Sequence, residues 1–196
     1  MKERIRYGFI LAVICIVASG LLAGMNSLTR PRIIALAQAE EKATLSELLP
    51  EAKNFEPVKS KEGDVIYYKA YDKNGKFAGA SFKAQAKGYS SIIETMVGMT
   101  KDGTITAIKI ISQNETPGLG AKIAEVAEET TLWEAVKGKK ISTERKSWFQ
   151  EEFRNKKIED LKDISAITGA TISSQEVIDS VKKKAEEIKE LIKDEK

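Results

Sequence analysis

The chain has 196 residues, 42% of them apolar, with 32 Lys+Arg against 29 Asp+Glu and a net charge of +3. That is room for one ordinary domain plus an accessory segment, and the interspersed charges argue against nucleic-acid binding, which needs a segregated basic face. With no histidine and one cysteine, Cys15, the chain has no means of histidine-based catalysis, of an intrachain disulfide, or of a self-contained Cys-ligated zinc or iron–sulfur site, so no metal site and no catalytic residue are assigned.

Residues Gly8 to Met25 form an uncharged run of 18 residues. As a helix it is ~27 Å long, close to the hydrocarbon thickness of a bilayer. Lys2, Arg4 and Arg6 precede it and Arg30 and Arg32 follow, so both flanks are basic and the charge rule separates the two sides weakly. A cleaved signal peptide is the competing reading, but the run exceeds the usual apolar core of ~7–15 residues, and the small-x-small match at Ala37-Gln38-Ala39 lies well beyond it. A retained anchor over residues 1–28 is expected, with the short N-terminus in the cytoplasm and the bulk of the chain outside. Thr29 and Pro31 read as the start of a second helix ending near Pro50, and residues 29–60 as a helical stalk and linker.

From residue 61 to 196 the pattern is that of a domain. "DVIYYKAY" and "KFAGASFKAQ" flank Asn74-Gly75, a strong hairpin signal. "IIETMVGMT" and "TITAIKIIS" flank Lys101-Asp102-Gly103. About four antiparallel strands are predicted. Helical signals follow in "AKIAEVAEE" and "RKSWFQEEFRN". A last helix is predicted to begin near Ser173, with Ser173 and Glu176 spaced as a capping box and Val177, Val181, Ala185, Ile188 and Ile192 on one face. The fold class is α+β: an antiparallel sheet with flanking helices behind one transmembrane helix.

The segment "ITGATISS", Ile167 to Ser174, carries four hydroxyls just before that helix. A helix N-terminus presents unpaired N–H groups and the positive end of the dipole, which favours an anion, phosphate above all. Thr168, Thr171, Ser173 and Ser174 can add hydroxyls to such a site. Gly169 and Ala170 let the backbone approach a ligand. A serine-rich cap with nothing bound explains the same residues equally simply. Upstream, "ETPGLG", Glu115 to Gly120, combines a rigid Pro117 with two glycines that permit positive φ and close approach to a flat ring; a tight strand-to-helix turn is the plainer reading. Tyr89, Trp133, Trp148, Phe149 and Phe153 are the aromatics considered for stacking, Tyr89 foremost.

"TGAT" followed by "ISS", preceded by "ETPGLG" and by the Gly-Tyr turn of "KGYSSIIETMVGMTKDGTITAIKI", resembles the FMN-binding domain family. That family includes the G subunit of the Rnf complex and the C subunit of the sodium-pumping NADH:quinone oxidoreductase, and the single span and chain length are most similar to the former. The resemblance implies FMN joined by a phosphodiester to Thr171, the last threonine of the motif. It implies Thr168, Gly169, Ala170, Ser173 and Ser174 around the phosphate, and Glu115, Thr116, Leu119 and Gly120 near the flavin, with Tyr89 lining the site. It also implies a flavin transferase as maturation partner, other membrane subunits as stable partners, and a role as an electron relay in a ferredoxin:NAD oxidoreductase that moves ions. One departure stands out: the family often has Asp where this chain has Ser165, and Asp163 lies two residues earlier. A stand-alone membrane-anchored electron carrier and a non-redox membrane-anchored scaffold remain as alternatives.

Overall fold

The computed structural model describes residues 2–61, 63–125 and 147–193. It divides into two compact units, Met1–Ala43 and Thr44–Lys196.

Helix α1 is one continuous helix, Lys2–Leu48, with Pro31 inside it. The helix start predicted at Thr29 is absent. The Thr29 hydroxyl instead donates back to the Met25 carbonyl at 2.9 Å, satisfying itself within the helix as threonine can. Pro31 withholds only the N–H that would have reached the Ser27 carbonyl. In the first unit the apolar side chains of α1 are exposed, Leu11, Leu21 and Leu22 each by more than 60%. It is the one helix among the described residues long and apolar enough to cross a membrane.

The second unit is built on a six-stranded antiparallel sheet in the order β1-β2-β3-β4-β5-β6. The four predicted strands are present as β2 (Val65–Tyr71), β3 (Phe77–Lys87), β4 (Ile92–Thr100) and β5 (Thr104–Ser112). Strand β1 (Asn54–Lys59) and the two-residue β6 (Lys156–Lys157) were not predicted. Strand β1 alternates weakly and contains Pro57, which is tolerated because the strand lies at the edge. Expected helix "AKIAEVAEE" begins instead as a 3₁₀ turn, Gly120–Ile123, which does not continue as helix through Ala124 and Glu125; the run from residue 126 on lies outside the described residues, as does Trp133. "RKSWFQEEFRN" yields only one helical turn, α2 (Trp148–Glu151). Phe149 and Phe153 are fully buried there, edge to face with centroids 5.3 Å apart, so both belong to the core. A second 3₁₀ segment, Ile158–Asp163, leads to the final helix α3, Thr171–Leu191.

Alternation decides the two faces of the sheet. Ala80, Phe82, Ala84, Ile93, Val97 and Met99 meet Val177, Val181, Ala185 and Ile188 of α3 in the main core. Each fully buried aliphatic side chain there contributes about 1.5–3 kcal/mol. On the opposite face Leu45 and Leu48, at the end of α1, pack on Met96 and Ala107. The Thr106 hydroxyl caps that helix end, donating to the Leu48 carbonyl at 2.6 Å. The sheet and α3 together bring the β3–β4 turn, the segment after β5 and the start of α3 to one end of the unit.

Candidate functional site

Two turns of the same kind frame this end. In the first, the Leu119 N–H donates to the Thr116 carbonyl at 3.1 Å. Pro117 is the second residue and Gly118, at φ +73°, the third, the arrangement of a type II turn. In the second, the Ala170 N–H donates to the Ile167 carbonyl at 2.9 Å, and Gly169 takes φ +83° at the equivalent place. The turns adjoin: a Cβ on Gly169 would stand 3.8 Å from Leu119 Cδ2 and 3.7 Å from Lys122 Nζ.

Helix α3 begins at Thr171, with Ala170 in the capping position and no side chain serving as cap. The capping box expected at Ser173 and Glu176 is therefore absent. Ser173 is the third residue of the helix, and its hydroxyl points away from the helix end to donate to Glu115 at 2.7 Å. The Ser174 hydroxyl accepts the Ile167 N–H at 3.1 Å and donates to the Ala170 carbonyl at 2.9 Å. Both serines are buried, whereas Thr168 and Thr171 are exposed. The N–H groups of Thr171, Ile172 and Ser173, at the helix start, have no intrahelical acceptor.

Glu115 is only 6% exposed. Its carboxylate accepts from the N–H groups of Tyr89, Ser90 and Ser91, at 3.1, 3.0 and 2.8 Å, and from the Ser91 and Ser173 hydroxyls, at 2.8 and 2.7 Å. All five donors are uncharged. Burial pushes the carboxyl up, but the hydrogen bonds from Ser173, Ser91 and Ser90 outweigh it and hold the group down at about 2. Two glycines make room for it. A Cβ on Gly88 would fall 2.6 Å from Glu115 Oε1, and one on Gly120 would collide with Oε2. Gly120 was expected to give positive φ, but only Gly118 does so in this loop. The absent side chain at Gly120 serves the carboxylate.

Between these elements lies an open cleft of about 360 Å³. Tyr89, Glu115, Thr116, Leu119 and Gly120 line one side, and Gly169, Ala170, Thr171, Ile172 and Ser173 the other. Of the residues singled out from sequence, Thr168 and Ser174 do not line it. Ile172, in the motif but without a hydroxyl, was missed as a lining residue, and Lys122, whose ammonium lies near Gly169, was hidden in a run taken as helix. Tyr89, Leu119 and Ile172 are each at least half exposed, so the cleft offers apolar side chains to solvent beside the free N–H groups of α3. Ser165 and Asp163, the two candidates for a transferase-recognised carboxylate position, are both exposed. Trp148 is 47% exposed and lies outside the cleft.

The FMN-binding domain model matches residues 88–186, from the β3–β4 turn well into α3. The chain belongs to the FMN-binding domain family. Residues 1–48 also match the RnfG N-terminal region. Relatives resemble the chain over nearly its whole length. The G subunit of the ion-translocating oxidoreductase complex of Methanosarcina acetivorans is 31% identical, over 92% of this chain and 92% of its own. The G subunit of the Na⁺-translocating ferredoxin:NAD⁺ oxidoreductase complex of Acetobacterium woodii is 30% identical, over 92% of this chain and 89% of its own. The proton-translocating counterpart of Clostridium ljungdahlii is 29% identical, over 91% and 88%. Relatives of equal similarity are thus named for different ions. The solved structure of NqrC from Shewanella oneidensis aligns with 69% of this chain and 66% of its own, at 17% identity and a TM-score of 0.43.

Proposed function

We propose that this FMN-binding-family protein is the component of a membrane-bound, ion-translocating ferredoxin:NAD oxidoreductase that carries FMN as a phosphodiester on Thr171. The observation that carries this reading is the exposed Thr171 hydroxyl at the first position of α3, on the wall of a cleft with apolar side chains. The donor set fits the group. Free N–H groups at the helix start and the nearby Lys122 ammonium suit a phosphate, and Tyr89, Leu119 and Ile172 suit the faces of a flat ring. Gly120, Gly169 and Ala170 keep the walls low, and Thr116 adds polar groups at the rim. Ser174 lies just behind the wall and fixes the helix start through the Ile167 N–H and the Ala170 carbonyl, and Thr168 stands on the turn with its side chain exposed.

Attachment would consume FAD: the Thr171 oxygen loses its proton and takes the FMN phosphoryl group, and AMP leaves. A separate flavin transferase supplies the catalysis, since this chain contributes only the acceptor hydroxyl. When bound, FMN supplies one- and two-electron redox chemistry. The chain's own part is to hold the cofactor where neighbouring subunits reach it. The anchor of residues 1–28 and the rest of α1 tether the flavin-carrying unit, to which the end of the expected stalk, from Thr44 through β1, already belongs, to the extracytoplasmic face of the membrane. Basic residues flank both ends of the apolar run, Lys2, Arg4 and Arg6 before it and Arg30 and Arg32 after it, so the charge rule leans toward this orientation by one residue only.

Intact-mass measurement tests the reading. Full-length protein made with the transferase should gain the mass of FMN less one water, and Thr171→Ala should gain nothing. A parent chain that stays bare in the presence of an active transferase would sink it.

A further inference from the structure

Glu115 lines the cleft, yet it has little left to offer a ligand. An ionised carboxylate has about four lone-pair sites, and this one already accepts five hydrogen bonds. We infer that Glu115 is a positioning residue that locks the first turn of α3 to the β3–β4 turn and so presents the Thr171 hydroxyl for esterification, without itself touching the flavin.

Three observations carry this. The carboxylate gathers segments far apart in sequence: the Tyr89–Ser91 turn, its own loop and Ser173. Ser173 lies two residues beyond Thr171 in the same helical turn, so fixing it fixes the rotation and height of the acceptor hydroxyl. Both glycines that face the carboxylate, Gly88 and Gly120, would drive a side chain into it, so the loops are shaped around this group. The Thr171 hydroxyl makes a long contact to the Ile167 carbonyl, at 3.4 Å, and depends on its neighbours for placement.

The inference rests on Thr171 as the flavin acceptor, and two readouts keep the two ideas separable. Full-length parent, Glu115→Gln, Ser173→Ala and Val181→Ala proteins would be made with the transferase. Flavin uptake would be followed over time by in-gel fluorescence and intact mass, alongside thermal unfolding and amide exchange. Val181 is fully buried in the core far along α3 and serves as the control for lost stability. The expected result is uptake slowed about tenfold or more in Glu115→Gln, as misplacement of a reacting group allows, and by a smaller factor in Ser173→Ala. Val181→Ala, although less stable, loads at the parent rate. Uptake in Glu115→Gln equal to the parent, or slowed no more than in Val181→Ala, overturns the inference. Should Glu115→Gln fail to fold, Ser173→Ala decides by the same comparison. Should the parent itself take no flavin, the proposed function fails and amide exchange decides the clamp. Faster exchange in Glu115→Gln at Ser90, Ser91 and Ser174, with the second half of α3 unchanged, supports it; a uniform change or none overturns it.

Discussion

Between Thr168 and Ser174 the chain carries two pairs of hydroxyls with opposite surroundings. Thr168 and Thr171 face solvent, while Ser173 and Ser174 are almost wholly buried, one held by Glu115 and the other by the backbone of the preceding turn. Side chains of one chemical type, within seven residues, are divided by the geometry of a helix start. Of the exposed pair only Thr171 stands on the cleft wall, and the buried pair builds the platform under it. A hydroxyl-rich segment is therefore not one continuous ligand surface.

Disturbing the buried pair should have the larger effects. Gly120→Ala would push a methyl group into the Glu115 carboxylate and to within 2.9 Å of the Ser173 hydroxyl. Such overpacking should cost about 1–3 kcal/mol and appear as a lowered denaturation midpoint. Ser174→Ala should cost slightly less, about 1–2 kcal/mol, because the Ile167 N–H loses its acceptor in a buried place. A hydroxyl is restored by Ser174→Thr, which should recover part of the loss if the extra methyl is accommodated.

Acid titration separates the two pairs in another way. The Glu115 carboxyl is depressed from 4.5 to about 2 in the folded chain. Its contribution to stability is complete above the unfolded value and is lost as pH falls through the folded one. Melting temperatures measured from pH 5 down to about 2 should fall more steeply for the parent than for Glu115→Gln. Asp72, held down chiefly by the Lys76 N–H, and Glu159, held down chiefly by its own N–H, are present in both proteins and cancel. Parallel curves would show that the carboxylate is not tied as described. On the exposed side, Thr168→Ala should shift stability by less than about 0.5 kcal/mol, as surface changes usually do, and should leave flavin uptake near the parent rate.

Much of the fold was legible because each element repeats its period. The period-two pattern and the turn residues located β2 to β5, and Val177, Val181, Ala185, Ile188 and Ile192 named the buried face at the C-terminal end correctly. The edge strand β1 was not legible, because an edge strand with Pro57 and one half-buried face barely alternates. The start of α3 was displaced by two residues, since Ser173 and Glu176 imitate a cap in sequence. Only the position of Glu115, distant in the chain, reveals that Ser173 is engaged elsewhere. The motifs carried the cleft: Gly118 signalled its turn through residue type alone, whereas Gly169, read only as a residue of close approach, forms a second turn that was not foreseen. The role of Gly120 was hidden, because a glycine that makes space for another residue's side chain looks the same as one that needs an unusual backbone angle. Ile172 lay inside the quoted motif but was passed over for its hydroxyl-bearing neighbours, and Lys122 comes near Gly169 through tertiary placement, without a local signature.

The packing of Gly88, Glu115 and Gly120 constrains how such a loop can change over generations. Three positions separated by up to 32 residues occupy one small volume. A methyl group at either glycine would press on the carboxylate, and at Gly88 also on Ile93 Cδ1, 2.7 Å away, and at Gly120 on the Ser173 hydroxyl, 2.9 Å away. Substitutions here should therefore travel together: alanine at 88 should need a shorter side chain at 115 and a smaller one at 93, alanine at 120 a shorter side chain at 115 and a displaced Ser173, and a library selected for folding should return such combinations while rejecting each glycine replacement made alone.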